Sequence, residues 1–479
     1  MNHPDTQATK QLDAQIKAGE DAEDTLYAVR QKVYPRSVTG LFATWRWILV
    51  WATQLIFYGL CWLPWNERQA VLLDVVERKF YIFGWVFWPQ DVFFLAILLI
   101  ISAYSLFFFT AVAGRLWCGY ACPQTVYTEI FTWIEEKIEG NRSQRIKLDQ
   151  APMSARKFAL KAAKFGAWGA VSLWTGFTLV GYFTSIHDLV NEAITFSLGP
   201  WELFWICFYG GFTYLFAGVM REQVCKYMCP YARFQGVMFD ADTLVITYDP
   251  ERGEPRGPRR KGPDAKAAGK GDCVDCGICV QVCPTGIDIR NGMQYECIGC
   301  AACIDACDQV MDKMNYPRGL IRYTTENAMK RQWGRKEILG HVMRPRILIY
   351  AGVLMAICAA FTWGLATRST LRVDVIKDRS TLSREVEGGL IANIYNLQVM
   401  NMTEKPRRFA LSASGLDGIK ISPGEPFEVD AAGHKAVTIE VAAPPESGKP
   451  GSNTVYIEVK ALDDESVHVR EKTAFLMPR

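Results

Sequence analysis

The chain has 479 residues, a length that suits about three domains of roughly 150 residues each. Half of the residues are hydrophobic, 15 are Trp, and the apolar residues gather in long runs, which excludes an ordinary soluble protein. The net charge of +3 is small, and no nucleic-acid partner is expected.

Five apolar runs predict helices that cross a lipid bilayer. Each run has about the 17–25 residues that a transmembrane helix needs. The runs are Trp47–Leu63, Val92–Gly114, Phe165–Ile186, Leu203–Met220 and Ile347–Thr367. Residues 1–40 are polar and mixed in charge, so we predict an N-terminal tail without a cleavable signal peptide. Residues 41–248 then form a four-helix transmembrane region, and residues 346–368 form the fifth span.

The distribution of basic residues predicts the orientation of these spans. The segments between spans two and three and between spans four and five are rich in Lys and Arg, whereas the loop between spans three and four has none. Because basic loops stay in the cytoplasm, we expect the N-terminus and the segment before span five to be cytoplasmic. Everything after Thr367 is then expected outside.

A short cysteine motif follows the second span and is repeated after the fourth. The two copies are Cys118-Gly-Tyr-Ala-Cys122-Pro123 and Cys225-Lys-Tyr-Met-Cys229-Pro230. On a helix, residues i and i+4 share a face, so both sulfurs of a pair would point the same way before the proline breaks or kinks the helix. Four such thiols suit Cu(I), zinc or a redox dithiol. Plain packing of helix ends is the competing interpretation.

Eight further cysteines form a two-cluster ferredoxin pattern within residues 272–345. They follow a segment, 249–271, whose Pro, Gly, Lys and Arg content predicts a flexible linker. Three thiolates at this spacing can hold three corners of one iron–sulfur cube, and the fourth reaches the other cube. The expected ligands of one 4Fe–4S cluster are Cys273, Cys276, Cys279 and Cys307, and those of the second are Cys297, Cys300, Cys303 and Cys283.

The last segment, residues 369–479, changes to short alternating runs separated by Gly, Pro, Asp and Asn. This pattern predicts a β-sandwich of the immunoglobulin type. The runs are Leu390–Met402, Arg408–Ala413, Val437–Val441, Val455–Val459 and Thr473–Leu476. The fold class is therefore a multidomain membrane protein with five transmembrane α-helices, an inserted α+β ferredoxin domain and a C-terminal sandwich. Since no pair of His shares a span, bis-His haem is not expected.

This order of parts resembles the CcoG/FixG/RdxA family of cytochrome c oxidase accessory proteins over nearly the whole chain. The resemblance implies a multi-pass protein of the bacterial inner membrane, with a periplasmic C-terminal domain, that supports assembly of cbb3-type oxidase. It also implies reduction of Cu(II) to Cu(I), with Cys118, Cys122, Cys225 and Cys229 as copper ligands and site of reduction. The implied partners are oxidase assembly factors or copper chaperones, together with an unidentified electron donor, and a homodimer is left open.

Two other functions compete with copper reduction. The first is a membrane subunit for quinol oxidation of the NapH type, which shares the doubled Cys-Pro motif and a ferredoxin segment. The second is a non-enzymatic copper scaffold or assembly factor, against which the eight cluster ligands argue, because a pure carrier needs no electron relay.

Overall fold

The computed structural model describes residues 32–66, 68–259, 269–378, 383–386 and 388–478. Most of the predicted N-terminal tail, residues 1–31, and the centre of the predicted linker, residues 260–268, lie outside the described residues. Helices make up the first half of the described chain and strands make up the last hundred residues, with the cysteine-rich segment between them.

The helical half alternates long apolar helices with short amphipathic ones. Its helices are α1 (Leu41–Gly59), α2 (Val92–Ala113), α3 (Leu116–Tyr120), α4 (Pro123–Glu139), α5 (Arg142–Gln150), α6 (Ala155–Val180), α7 (Ile186–Ile194), α8 (Pro200–Thr213) and α9 (Pro230–Met238). Between α1 and α2 lie five short strands, β1 (Pro64–Trp65), β2 (Arg68–Gln69), β3 (Val71–Asp74), β4 (Lys79–Ile82) and β5 (Trp85–Phe87).

Three helical stretches are long and apolar enough to cross a membrane: Pro89–Ala113, Pro200–Met220 and Pro345–Ala366. Most of their side chains face outward, as lipid contact requires, and Leu99 on α2 is 61% exposed. The other two predicted spans are helical over most of their length, in α1 and α6. Their Trp, Gly, Ser and Thr residues lower the hydropathy of these helices, so the five spans stay a prediction.

The cluster domain is one continuous stretch of chain, in which a strand before the cysteines pairs with a strand after them. Its elements are β6 (Val245–Tyr248), α10 (Pro250–Gly253), α11 (Ile278–Gln281), α12 (Ala302–Met314), β7 (Ile321–Thr324), α13 (Glu326–Arg331) and α14 (Arg335–Val342). Strands β6 and β7 pair antiparallel, with Val245 opposite Thr324 and Tyr248 opposite Ile321. The domain therefore begins before the segment that was predicted as a linker.

Both described ends of that predicted linker are ordered against the cluster domain. Arg252 in α10 forms an ion pair with Asp272, with 2.6 Å between Nε and the carboxylate. The Gly271 amide donates to the Pro255 carbonyl at 3.1 Å. Residues 249–259 and 269–271 are thus part of the domain rather than a free connector, because their backbone groups find partners there.

Helix α15 (Pro345–Ala366) leads into a sandwich of two antiparallel sheets. One sheet has the order β12 (Lys420–Ser422), β14 (His434–Ala443), β10 (Leu390–Asn401) and β8 (Leu371–Lys377), with β9 (Arg384–Val386) also on β10. The other has the order β13 (Phe427–Val429), β11 (Arg407–Ser414), β15 (Gly451–Ala461) and β16 (His468–Met477). Alternate residues such as Tyr395, Leu397 and Val399 are fully buried between the sheets, as the period of two demands.

The sandwich and the cluster domain lie at opposite ends of α2. At the N-terminal end, Asp91 pairs with Arg368 at 2.5 Å, directly before the sandwich begins. At the other end, the Leu244 amide, next to β6, donates to the Val112 carbonyl at 3.1 Å. A helix of this length and hydropathy between the two domains separates them by about the thickness of a bilayer.

The segment before α1 is tied to the cluster-domain end of the helices. Asp149 accepts from Lys32 at 2.6 Å and from the Tyr34 hydroxyl at 2.7 Å. Burial alone would raise the pKa of the Asp149 carboxyl, but the hydrogen bonds from Lys161, Lys32 and Tyr34 outweigh it and hold the pKa well below the usual range. Residues 32–39 thereby form a wall beside α1 and α4 instead of a loose tail.

Candidate iron–sulfur and thiol site

The first cysteine cavity gathers residues from both ferredoxin runs. Its wall contains Cys273, Cys276, Cys279 and Cys307. The first three come from the loop before α11 and from α11 itself, whereas Cys307 comes from α12. This is the grouping that the spacing predicts, with the fourth cysteine of the second run crossing to the first cavity.

The second cysteine cavity shows the reciprocal exchange. Its wall contains Cys283 from the first run together with Cys297, Cys300 and Cys303 from the second, and Cys279 of the first cavity also borders it. Ile246, Ile287 and Ile289 close the apolar remainder of this wall. Each cavity therefore includes the four cysteines expected of one cluster in largely apolar surroundings, which suits two 4Fe–4S clusters that exchange single electrons when bound.

The protonation of these thiols also fits cluster binding. Burial raises the pKa of the Cys297 thiol to about 12, and it raises the pKa of the Cys303 thiol well above the ordinary value. Buried thiols of this kind gain their charge only when a metal takes the place of the proton. The burial of Cys297 and Cys303 therefore favours their binding to a metal as thiolates, as an iron–sulfur site requires.

The second cysteine of each Cys-Pro motif is not helical, contrary to the prediction of one shared helical face. Cys118 lies in α3, but Cys122 is extended and precedes Pro123, the first residue of α4. Cys225 lies in a π-helical turn, Val224–Met228, and Cys229 is the extended residue before α9. Proline is favoured at the first position of a helix because its missing N–H is not needed there. Each proline thus starts a new helix rather than kinking an old one.

A matching backbone turn precedes both motifs. Gly114, four residues before Cys118, has φ 55° and ψ −121°. Arg221, four residues before Cys225, has φ 46° and ψ −114°. Such a conformation is strained for a side chain other than glycine, and Arg221 is held there by Glu135 at 2.7 Å and by the Gly218 carbonyl at 3.0 Å. The two halves of the membrane region therefore present their thiols through the same turn.

The thiol motifs and the second cysteine cavity are in direct contact. Cys118 and Cys225 pack against the buried cluster that contains Ile298 and Cys300. Burial raises the pKa of the Cys118 thiol to about 12, and the neighbouring thiols of Cys122, Cys225 and Cys229 add to the rise. The four thiols are therefore close enough to repel one another as thiolates.

Several residues at this contact were not predicted from the sequence. A Cβ on Gly119 would lie 2.7 Å from the Gly299 carbonyl oxygen and 2.9 Å from the Cys300 Cα. The Tyr323 hydroxyl donates to the same Gly299 carbonyl at 2.7 Å. Arg115 lines a small cavity beside Cys297. The glycines inside Cys-Gly-Tyr and Cys-Ile-Gly-Cys were the sequence signal for this contact. Only residues without a Cβ let the two backbones come so close.

The Gly119 contact yields a sharp prediction. We expect Gly119→Ala to push the Gly299–Cys300 loop away from the thiol motif. The atoms in contact belong to the backbone, so the whole loop has to shift, whereas a flexible side chain would simply turn aside. The cost should be about 1–3 kcal/mol of unfolding free energy, measured by denaturant titration of the purified protein. Gly166→Ala is the matched control. Its Cβ would meet nothing within 4 Å, and Ala favours a helix interior. Equal stability of the two variants would contradict the contact.

A single metal ion has no ready-made site among the residues that the structure describes. Within those ranges, no three His, Cys, Asp or Glu side chains converge as ligands of one ion. This finding does not bear on the two cysteine cavities, whose sulfurs surround a cube of four irons. Copper binding by Cys118, Cys122, Cys225 and Cys229 is therefore a proposal.

Three family profiles match the chain. Residues 220–326 match a 4Fe-4S dicluster domain, and residues 95–141 match a 4Fe-4S binding domain. Residues 361–478 match the IG-like fold at the C-terminus of FixG. The first two matches show an iron–sulfur protein, and the third confirms the immunoglobulin-like C-terminal domain.

Two curated relatives align over most of the chain. The nitrogen fixation protein FixG of Rhizobium meliloti is 38% identical over 450 residues, which cover 87% of this chain and 86% of that protein. Protein RdxA of Cereibacter sphaeroides is 39% identical over 407 residues, which cover 83% of this chain and 86% of that protein.

A solved structure, the FixG-related protein from Vibrio parahaemolyticus, is 19% identical and covers 23% of this chain and 98% of its own, at a TM-score of 0.21. That likeness carries no weight for the fold. The two long alignments and the C-terminal profile together place the protein: it is an iron–sulfur electron-transfer protein of the membrane and belongs to the FixG/RdxA family.

Proposed function

We propose that this protein reduces Cu(II) to Cu(I) for copper delivery during assembly of a cbb3-type cytochrome c oxidase. The observation that supports it best is the contact between the thiol motifs and the second cysteine cavity, through Cys118, Cys225 and Cys300. Thiolates are soft ligands that favour Cu(I) over Cu(II). A thiol set beside a one-electron carrier therefore suits a one-electron reduction of copper.

The proposed ligands follow the grouping in the two cavities. Cys273, Cys276, Cys279 and Cys307 would hold one cluster, and Cys283, Cys297, Cys300 and Cys303 the other. When bound, the clusters supply and store single electrons. The chain's own part is to keep these sulfurs dry and to hold Cys118, Cys122, Cys225 and Cys229 at the edge of the second cavity as copper ligands.

We further propose the topology expected from the sequence. The cluster domain and both Cys-Pro motifs lie at one end of α2 and the sandwich at the other. The basic residues of α5 and the first turns of α6 share the cluster end. By the positive-inside rule this end is cytoplasmic, which leaves the sandwich in the periplasm of a bacterial inner membrane. There it would dock oxidase assembly factors or copper chaperones.

The test is reduction of copper by the anaerobically purified protein. The clusters are reduced with dithionite, excess reductant is removed, and Cu(I) formation is followed with a Cu(I)-specific chelator. We expect serine at all four of Cys118, Cys122, Cys225 and Cys229 to slow Cu(I) formation by about tenfold or more, with the iron content unchanged.

The matched control is serine at Cys207 and Cys358, two free thiols on the long helices α8 and α15. These substitutions should leave the rate as it is. An undiminished rate in the four-serine variant would show that copper is reduced elsewhere, and a loss of iron in that variant would show that the four thiols hold a cluster instead.

A further inference from the structure

A large cavity lies between α1, α4 and the second cysteine cavity. It has a volume of about 460 Å³. Residues 33–39 form one wall, α1 and α4 form two more, and the cluster domain closes the fourth. Both Cys225 and Cys300 reach its surface. A molecule in this cavity would therefore touch the wall of the electron carrier and a thiol of the proposed copper site.

The outer part of the cavity is aromatic and opens on an apolar face. Trp47, Trp51 and Trp133 line it, and the rings of Trp47 and Trp133 meet edge to face at 6.4 Å. Trp51 is 62% exposed on α1, and Leu55, one turn further along, is 67% exposed. Exposed tryptophans beside apolar side chains are typical of the lipid interface. The entrance thus suits a flat ring that carries an apolar tail.

The inner part of the cavity is polar and balanced in charge. Three arginines and three glutamates line it: Arg36, Arg46, Arg221, Glu129, Glu136 and Glu222. Equal numbers of each sign do not attract a phosphate-bearing nucleotide, which requires a surplus of positive charge or a glycine-rich turn. A neutral ligand with a few hydrogen-bonding oxygens matches this lining better.

Arg46 supplies the second, independent sign of a ligand. The residue is 8% exposed, and its Nε is buried without a hydrogen-bond partner among the described residues. Its Nη2 lies 3.8 Å from the Glu129 carboxylate. An unpaired buried donor costs free energy unless something accepts from it. A ring oxygen in the cavity would do so, and Glu129 beside it could take a proton.

We propose that this cavity binds a lipid-soluble quinol, of the benzoquinol or naphthoquinol type, which donates electrons to the second cluster. Each quinol oxidised to quinone releases two electrons and two protons. The protons leave through Glu129, and the two electrons pass one at a time to the two clusters. The clusters then pass these electrons to copper, so that one quinol yields two Cu(I) from two Cu(II). Only this last step rests on the proposed copper reduction.

The test follows cluster bleaching after a short-chain quinol is mixed anaerobically with the full-length protein carrying both clusters. A ubiquinol and a menaquinol analogue are used in parallel, to distinguish the two ring types. We expect Thr132→Trp, which fills the cavity, to slow bleaching by about tenfold or more, while dithionite still reduces both clusters. The matched control is Thr362→Trp on the exposed face of α15, which should bleach at the wild-type rate.

Glu129→Gln separates proton transfer from packing. We expect about a hundredfold slower bleaching by quinol, with unchanged binding of the oxidised quinone. A photoreactive azidoquinone should label peptides from residues 33–51 and 124–136, and excess quinone should compete. Labelling elsewhere, or bleaching of Thr132→Trp at the wild-type rate, would overturn the proposal.

The two proposals can fail separately. If quinol bleaches the clusters but no Cu(I) forms afterwards, the proposed copper reduction is wrong and the quinol site is supported. Conversely, the dithionite-reduced protein could form Cu(I) while neither quinol reduces its clusters. That result would contradict the quinol site alone.

Discussion

Serine at Cys307 is expected to remove the cluster of the first ferredoxin run, although Cys307 belongs to the second run. The structure places Cys307 in one wall with Cys273, Cys276 and Cys279. Iron should fall from about eight to about four atoms per chain, because a cube with three thiolates is poorly held. Serine at Cys283 should remove the other cluster, since its thiol lies with Cys297, Cys300 and Cys303.

The two variants should differ in their effect on copper. Cys283→Ser removes the cluster next to Cys118 and Cys225, so Cu(I) formation should nearly cease. Cys307→Ser removes the distant cluster, and the first electron should still reach copper while the second is lost. Stopped-flow amplitudes and electron paramagnetic resonance of the remaining cluster would check this. The exchanged outcome, in which Cys307→Ser stops Cu(I) formation and Cys283→Ser does not, would contradict the crossed arrangement of ligands.

Removing the Glu135 carboxylate is expected to destabilise the protein by about 3–5 kcal/mol, the usual cost of breaking a buried ion pair. Glu135 is 1% exposed. Its carboxylate lies 2.7 Å from Arg221, 3.5 Å from Lys164 and 3.6 Å from Arg145. Glu135→Ala would leave Arg221 and Arg145 without this carboxylate in a buried site, although Lys164 keeps Glu139 at 2.9 Å, so the cost exceeds that of the lost contacts alone.

The pH dependence of this effect has a definite sign. Burial would raise the pKa of Glu135, but Arg221 and Lys164 outweigh it and lower the pKa below its usual value. A lowered pKa adds stability that is present above the unfolded value of about 4.3 and is lost as the pH falls through the folded pKa. The stability difference between wild type and Glu135→Ala should therefore be full at neutral pH and shrink in acid.

A surface pair provides the control for Glu135. Glu326 and Lys330 are 2.6 Å apart in α13, with side chains 61% and 69% exposed. Because exposed pairs contribute about 0–1 kcal/mol, Glu326→Ala should hardly move the denaturation midpoint. If Glu135→Ala were as mild as this control, the buried network would not be structurally important.

Much of this architecture is predictable because its signals are local. The cysteine spacing predicts which sulfurs share a cavity, and strand alternation predicts the core of the sandwich. Prediction from local sequence patterns failed where the structure of a segment depends on contacts with distant parts of the chain. β6 lies next to an apparent linker, and only its partner β7 reveals it as a strand. Likewise, Cys122 and Cys229 have helical spacing to their partners, but the following prolines begin new helices.

The cavity was missed for the same reason. Its lining comes from residues 33–39, α1, α4 and the cluster domain, which no single stretch of sequence brings together. Arg46 reads as the flank of a transmembrane span and Glu129 as an ordinary helix residue. Only the packing of α1 beside α4 turns them into neighbours.

The contact of Gly119 with Gly299 and Cys300 has a consequence for the speed of electron transfer. The two backbones are so close that a Cβ added at Gly119 would lie 2.7 Å from the Gly299 carbonyl oxygen. This spacing leaves no room for a water layer between the thiol motif and the cluster loop. Water dipoles that turn with each passing charge are a main source of reorganisation energy, and a dry, fixed junction has few of them. Under the proposed copper reduction, we therefore expect electron passage between the two sites to depend on their difference in potential and not on an opening motion.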